Sequence, residues 1–334
     1  MNSSTQFLYL SRETLESLNI TTDEVVACME HLMRGLKQSR VWHAPKSVIQ
    51  PDDDRYMMST LSAAQDPPYL AVKSVVLNPH NTDRGLPQIN GLIMVLDSET
   101  GIPVAVVDGN WITAIRTAGA SAVAARRLAR PDSEVMAFVG CGVQAHSHLK
   151  LFADLFSLKE IRAFGRGRAN RDALCRTAQE MGLETVASTT AHAAVDNADI
   201  VVSSVTITAK IDPFIDPHWL RPGAFISSTD MAIPWMQEGM SAFDRIIIDD
   251  REQESSMPNP MVDIRLVSGD IAELVNGEAV GRTRERQRTA FIFRGLALGD
   301  LALAGLSVDK ARANSTGEVL GASCQVLPIT RASS

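Results

Sequence analysis

The sequence is short of the features that define several classes of protein. It has only four cysteines in 334 residues (Cys28, Cys141, Cys175 and Cys324), and no C-x-x-C pair. Neither a disulfide framework nor a cysteine zinc site is therefore expected, and free thiols in a reducing compartment are. No apolar run approaches the ~18 residues of a bilayer-spanning helix. The opening MNSSTQFLYL has neither a basic leader nor a long apolar stretch, so no secretory signal is expected. Basic charge is also scarce. The formal net charge of −7 argues against nucleic acid as the main partner, because phosphate binding needs a basic footprint. Nor is a metal site expected, since His146 and His148 lie two apart on an expected helix and face different directions. What remains is an ordinary globular protein, expected in the cytoplasm.

The residues that are present fall into two rhythms, at a length suited to about two domains. Apolar residues from Val25 to Leu36 recur at helical spacing behind Thr21 or Thr22, predicting a helix over 22–38. Residues 40–107 predict strands at 55–61, 69–77, 90–97 and 103–108, separated by turn signals and no helix. That spacing suggests an antiparallel or mixed sheet. The alanine-rich stretch 111–130 predicts a helix that ends in arginines and is stopped by Pro131. From 133 onward strand and helix alternate. Strands are expected at 134–139, 160–164, 184–187, 199–204, 223–228 and 246–248. Helices are expected at 143–156, 169–182, 190–196 and 260–267, and a helical stretch within 283–314. Such alternation implies a parallel sheet covered by helices, which makes the fold class α/β. The tail beyond 315 is polar and weakly patterned, and its last residues are expected to be mobile.

The second rhythm opens on Val139-Gly140-Cys141-Gly142-Val143-Gln144-Ala145. A strand, a glycine turn and a helix start bring backbone N–H groups to one point, which suits a phosphate. By itself the pattern also fits a tight turn that binds nothing. The second strand ends in Phe164-Gly165-Arg166-Gly167-Arg168, without the carboxylate that grips ribose hydroxyls. Arg166 and Arg168 suit a 2′-phosphate, which favours NADP(H) over NAD(H). Ser204, Val205 and Thr206 close a later strand and are expected to face the same cofactor.

Motifs in order along residues 5–310 then resemble the ornithine cyclodeaminase/mu-crystallin family. They are YLAVKSVVLNPHN around Lys73, the D-x-x-T-G-x-P-x-A segment from Asp97 to Ala105, T-A-x-R-T-A around Arg116, then VGCGVQA, ADIVVSSVT and FRGLALGDLALA. The resemblance implies a Rossmann-type dinucleotide-binding domain (126–304) inserted into an α+β substrate and dimerisation domain (1–125 and 305–334), and a homodimer. It implies NAD(P)H and chemistry on amino acids or their imines. It also implies that Lys73 is the active-site lysine, that Arg116 grips a substrate carboxylate, and that Arg116, Thr117, Gly140, Gly142, Val143, Gln144 and Ala145 contact the cofactor. Physically, a guanidinium suits a carboxylate through parallel bonds, and a lysine in an apolar strand acquires a lowered pKa.

Three departures bear on the substrate. Lys46 stands where many members have an arginine. Tyr56 stands where ornithine cyclodeaminases carry a glutamate. Asp230, expected near the substrate amine as a second catalytic group, lacks the glycine that precedes its counterpart. The expected function is reduction of a small or acidic α-imino acid, a ketimine or iminosuccinate-like, to the L-amino acid, or the reverse. Ornithine-type cyclodeamination with recycled NAD and non-enzymatic ligand binding are the alternatives.

Overall fold

The computed structural model describes residues 5–206 and 211–322. The first part of the chain forms β1 (Thr5–Leu10), α1 (Arg12–Ser17), α2 (Thr22–Lys37), β2 (Val41–His43), β3 (Ser47–Ile49), β4 (Tyr56–Ala64), β5 (Tyr69–Leu77), β6 (Ile89–Asp97), β7 (Pro103–Asp108) and α3 (Gly109–Leu128). There follow β8 (Val135–Val139), α4 (Val143–Leu155), β9 (Glu160–Phe164), α5 (Arg168–Glu180), β10 (Glu184–Ala187), α6 (Ala191–Val195), β11 (Ile200–Ser203) and β12 (Phe225–Ser228). The last part forms β13 (Arg245–Ile248), α7 (Arg251–Ser255), β14 (Val267–Asp270), α8 (Ile271–Asn276), β15 (Thr289–Ile292), α9 (Ala297–Ala313) and β16 (Glu318–Ala322).

The first sheet runs β16-β1-β7-β6-β5-β4-β2, with β3 also on β4. It is mixed, because β1 runs parallel to β7 while β4 to β7 pair antiparallel. Alternation decides its chemistry. In β5 the inward row is Tyr69, Ala71, Lys73 and Val75, so the pleat carries a lysine into the core beneath α9. The outward row of β4 and β6 includes Met57, Leu61, Leu92 and Met94, which are exposed. Helix α2 is capped by Thr21, whose hydroxyl and the Glu24 side chain form a reciprocal cap. Its buried stripe of Val25, Val26, Met29, Leu32 and Met33 packs on α3 and α9.

Helix α3 is capped by Asp108, which accepts from Trp111 N–H at 2.6 Å. It runs between the two sheets and is buried along most of its length, which only small residues permit. A Cβ on Gly119 would lie 2.6 Å from Met29 Sδ. The second sheet has the order β10-β9-β8-β11-β12-β15-β13-β14 and is wholly parallel. The strand order reverses at β8, so the crevice between the C-terminal ends of β8 and β11 is where a doubly wound sheet takes its ligand. No helix among the described residues is long and apolar enough to cross a membrane.

One expectation is corrected. Residues 260–267 form no α-helix. After Pro258 and Pro260 the chain makes a single 3-10 turn, Ile264–Leu266, and enters edge strand β14. The helical stretch expected within 283–314 is α9, and ahead of it Thr289–Ile292 forms a buried strand between β12 and β13. Beyond 315, β16 pairs antiparallel with β1. Residues 323–334, for which mobility was expected, lie outside the described residues. The expected domain junctions at 125/126 and 304/305 fall within α3 and α9.

Candidate active site

The glycine loop sits in the crevice of the parallel sheet. Gly140 has a φ of 97°, and a Cβ there would lie 2.5 Å from Ser204 O, so no larger residue fits. Gly142 differs: a Cβ would meet nothing of the protein within 4 Å. Gly142 is also the N-cap of α4 and supplies no side-chain cap, which leaves the first N–H groups of that helix to an outside acceptor. Val143 beside it is 69% exposed. The start of α5 is likewise capped by a glycine, Gly167, without a side-chain bond, and is flanked by the exposed Arg166 and Arg168. An open floor, an uncapped helix and two cations fit a pyrophosphate-bearing dinucleotide.

Behind the loop, Gln144 Nε2 lies 3.5 Å from Thr113 O, and its Oε1 is buried without a partner among the described residues. Thr117 donates to Thr113 O at 2.8 Å, within α3. Ala145 is fully buried and packs the loop onto the core. Ser204, Val205 and Thr206 follow β11 across the crevice.

The second half of the site lies where β5, α3 and α9 meet. Lys73 is 2% exposed, and its Nζ is 2.6 Å from Asp300 Oδ2. Arg116 Nε is 3.0 Å from Asp300 Oδ1, an ion pair not aligned as a hydrogen bond, and Nη1 is buried with no partner among the described residues. The Arg116 guanidinium lies 5.2 Å from the centre of the Phe293 ring, which supports it from one face. Lys46 Nζ donates to Arg294 O at 3.0 Å. Gly295, with a φ of 119°, separates the two outer cations. A Cβ there would lie 2.8 Å from Lys46 Nζ and 3.9 Å from Arg116 Nη1.

Burial sets the proton affinities. It pulls Lys73 down to about 8, against the opposing pull of Asp300. Burial likewise brings Lys46 down to about 8, with Asp249 opposing and Arg116 adding to the fall. Burial alone would raise Asp300, but Lys73 and Arg116 outweigh it and hold the carboxyl below its ordinary range. Asp249 is pushed up to about 6 by burial, with Lys46 opposing.

Thus Lys46, Lys73 and Arg116 come together as the sequence suggests. Tyr56 is half-buried, and burial raises its pKa while the charge of Arg294 opposes the rise. Asp230 goes elsewhere. It is buried beyond β12, accepting from Ser203 Oγ (2.9 Å), Ser228 Oγ (2.6 Å) and Val205 N–H (3.0 Å). It ties the strand ends behind the cofactor crevice, and the carboxylate that meets the lysine is Asp300. His148 is enclosed in the core. Its Nδ1–H donates to Gln144 O (2.7 Å) and its Nε2 accepts from Ser121 Oγ (2.8 Å).

Sequence reasoning missed Asp300, Asp249 and Arg294. Asp300 had a signal: a lone carboxylate in Leu298-Gly299-Asp300-Leu301-Ala302-Leu303 needs a buried partner. Asp249 reads as a loop residue, and its neighbour Asp250 does cap α7, accepting from Gln253 N–H at 2.9 Å.

Comparison with known proteins accords with this geometry. The family model "Ornithine cyclodeaminase/mu-crystallin family" matches residues 8–315. The chain belongs to that family. It is 32% identical to the ketimine reductase mu-crystallin of Mus musculus, over 76% of this chain and 79% of that one. It superposes on the Thermococcus litoralis delta(1)-pyrroline-2-carboxylate reductase in complex with NADH and L-proline with a TM-score of 0.86, at 28% identity, covering 93% of this chain and 99% of that one. An archaeal alanine dehydrogenase dimer with bound NAD gives 0.84 at 25% identity, covering 95% and 99%. Family membership places the chain with nicotinamide-dependent oxidoreductases of C=N and CH–NH2 groups.

Proposed function

We propose that this protein reduces a carboxylate-bearing imine, a cyclic ketimine or a small α-imino acid, to the L-amino acid with NAD(P)H, and catalyses the reverse oxidation. The observation that carries this reading is the pair of cations around Gly295. Arg116 Nη1 is buried and unpartnered among the described residues, and Lys46 Nζ lies on the other side of the same glycine. Two cations converging on one gap suit a carboxylate. Lys73 then stands behind it with a pKa of about 8, a value matched to giving and taking a proton near neutrality.

A bound nicotinamide supplies the hydride for the imine carbon. Lys73 Nζ, as an ammonium, gives a proton to the imine nitrogen and is left as a neutral amine. Asp300 holds Nζ in place and favours its reprotonation. In the oxidative direction the neutral Lys73 takes the proton from the substrate amine. Asp230 serves this chemistry by fixing the ends of β11 and β12. Arg166 and Arg168 support NADP(H) over NAD(H), since no carboxylate follows β9 before α5. Free thiols at Cys28, Cys141 and Cys175 support a cytoplasmic setting.

The outward apolar face of β4 and β6 supports a homodimer built by a second copy on that face, as does the dimeric archaeal neighbour. The division into a substrate unit (1–125 and 305–334) and a cofactor unit (126–304) has its junctions inside α3 and α9.

The test is absorbance loss of NADH and NADPH with preformed cyclic imines and with α-keto acids plus ammonia. Oxidation with at least one carboxylated imine is expected. Ammonia release from ornithine without such oxidation would overturn the reading.

A further inference from the structure

The peptide joining Arg294 to Gly295 is held at both ends by opposite charges. Its carbonyl oxygen accepts from Lys46 Nζ at 3.0 Å, and its N–H donates to Asp249 Oδ2 at 2.6 Å. The same Oδ2 accepts from Arg294 N–H at 3.0 Å. Asp249 follows β13 of the parallel sheet, whereas Lys46 precedes β3 of the mixed sheet. One peptide group therefore joins the two sheets next to the gap between Lys46 and Arg116. Asp249 is buried, and its Oδ1 has no partner among the described residues. Two backbone donors on one oxygen do not account for a full charge with the other oxygen orphaned, because such a group is destabilising when buried alone.

The charges around the pair are mixed. Lys46 faces the anions Asp249 and Asp300 and the cations Arg116 and Arg294. Asp249 faces Lys46 and the like-charged Asp250, which lies 3.5 Å from His43 Nε2. Of the groups that keep Lys46 charged, Asp249 acts most strongly.

We propose that Asp249 is a positioning residue for the substrate carboxylate: through the Arg294–Gly295 peptide and through its own charge, it holds the Lys46 ammonium in place and protonated. The proposal rests on the imine reading only for the identity of the bound carboxylate. With Asp249 titrating near 6 and Lys46 near 8, both are charged between those values, which is the pH window in which the arrangement works.

Two measurements on the full-length protein test it. The first follows Lys46 Nζ by NMR of lysine labelled with 13C at Cε, assigned by loss of its signal in K46R. In D249N the Lys46 titration should move down by about one pH unit, since an anion that favours the ammonium is gone. The second is steady-state reduction of a cyclic imine. D249N should raise KM about five-fold at pH 8 and leave kcat within about two-fold, while NADPH binding measured by fluorescence stays unchanged. An unchanged Lys46 titration in D249N overturns the role of Asp249 whatever the turnover. Absence of imine turnover in the unsubstituted protein overturns the function whatever Lys46 does. K46R gives an arm that leaves Asp249 intact: KM should rise above about pH 8 in the unsubstituted enzyme and stay flat in K46R, and a rise in both overturns the proposal.

Discussion

The Lys73 ammonium lies 2.6 Å from Asp300 Oδ2, joining β5 to the first turn of α9 deep in the protein. Both groups are 2% exposed, so the pair is screened little by solvent. Replacing Lys73 with methionine preserves most of the volume and leaves Asp300 beside Arg116. The expected outcome is a kcat for imine reduction lower by about 10²–10⁴, the usual scale of a positioned proton donor, with a smaller change in KM. The pH dependence has a definite sign. The donor must be protonated for reduction, so reductive kcat falls as pH rises through about 8, and oxidative kcat rises through the same value. A K73M enzyme with full turnover would exclude this role.

Cofactor preference is tested at Arg166 and Arg168, the exposed cations beyond β9. Each charge-assisted bond to a 2′-phosphate contributes about 1.5–3 kcal/mol. Substituting both with serine should lower kcat/KM for NADPH by at least about ten-fold and leave the NADH value within about two-fold. An equal effect on both cofactors would assign the arginines to something other than the 2′-phosphate.

His148 makes acid stability predictable. Burial lowers its pKa from 6.5 to about 4, and the bond its Nδ1–H donates to Gln144 O only partly opposes this. A group whose folded pKa lies below its unfolded value contributes fully above pH 6.5, and that contribution is lost as pH falls from 6.5 toward 4. The loss is on the order of 3 kcal/mol. Urea unfolding at several pH values should show a steeper acid decline for the unsubstituted protein than for H148Q. Parallel curves would show that the ring charges freely in the folded state.

The outward face of the mixed sheet carries Leu92 at 49% exposure, followed on the same strand face by Met94, which lies in line with Leu61 two strands away. A charge at its centre would be desolvated in a stacked pair of sheets. If the proposed homodimer stacks on this face, L92D should give a monomer by light scattering where the unsubstituted protein is a dimer, with its circular dichroism retained. A dimer that persists through L92D would place the contact elsewhere.

The parts of the fold that were legible are those where period and punctuation agree. Helix α2 has a cap and a clean stripe, and strands β4 to β7 alternate between turns. Strand β15 was hidden because Thr289–Ile292 is uniformly buried and runs toward an apolar helix, and periodicity cannot type so short a run. Strand β14 includes Gly269 and follows a proline-rich loop. It exists because the sheet edge accepts it and because Ala279 packs where a side chain at 269 would stand.

At the site, three cations were legible, whereas Arg294 and the anions were not. Lys46, Lys73 and Arg116 come from motifs, but what burial makes of them depends on Asp249 and Asp300, which the chain brings up from far downstream. Asp230 looked like the missing acid because it follows a strand of the cofactor sheet. Three donors from Ser203, Ser228 and Val205 already use its oxygens.

Helix α3 has one last consequence. Arg116 and Thr117 are neighbours on a helix enclosed on most sides, so the proposed seat of the substrate acid and the residue expected to meet the cofactor share one rigid rod. The stagger between them is set by a single residue's rise, about 1.5 Å. Changes at Tyr56 or in the loop bearing Lys46 can then alter which acid is accepted while the distance over which the hydride travels stays the same.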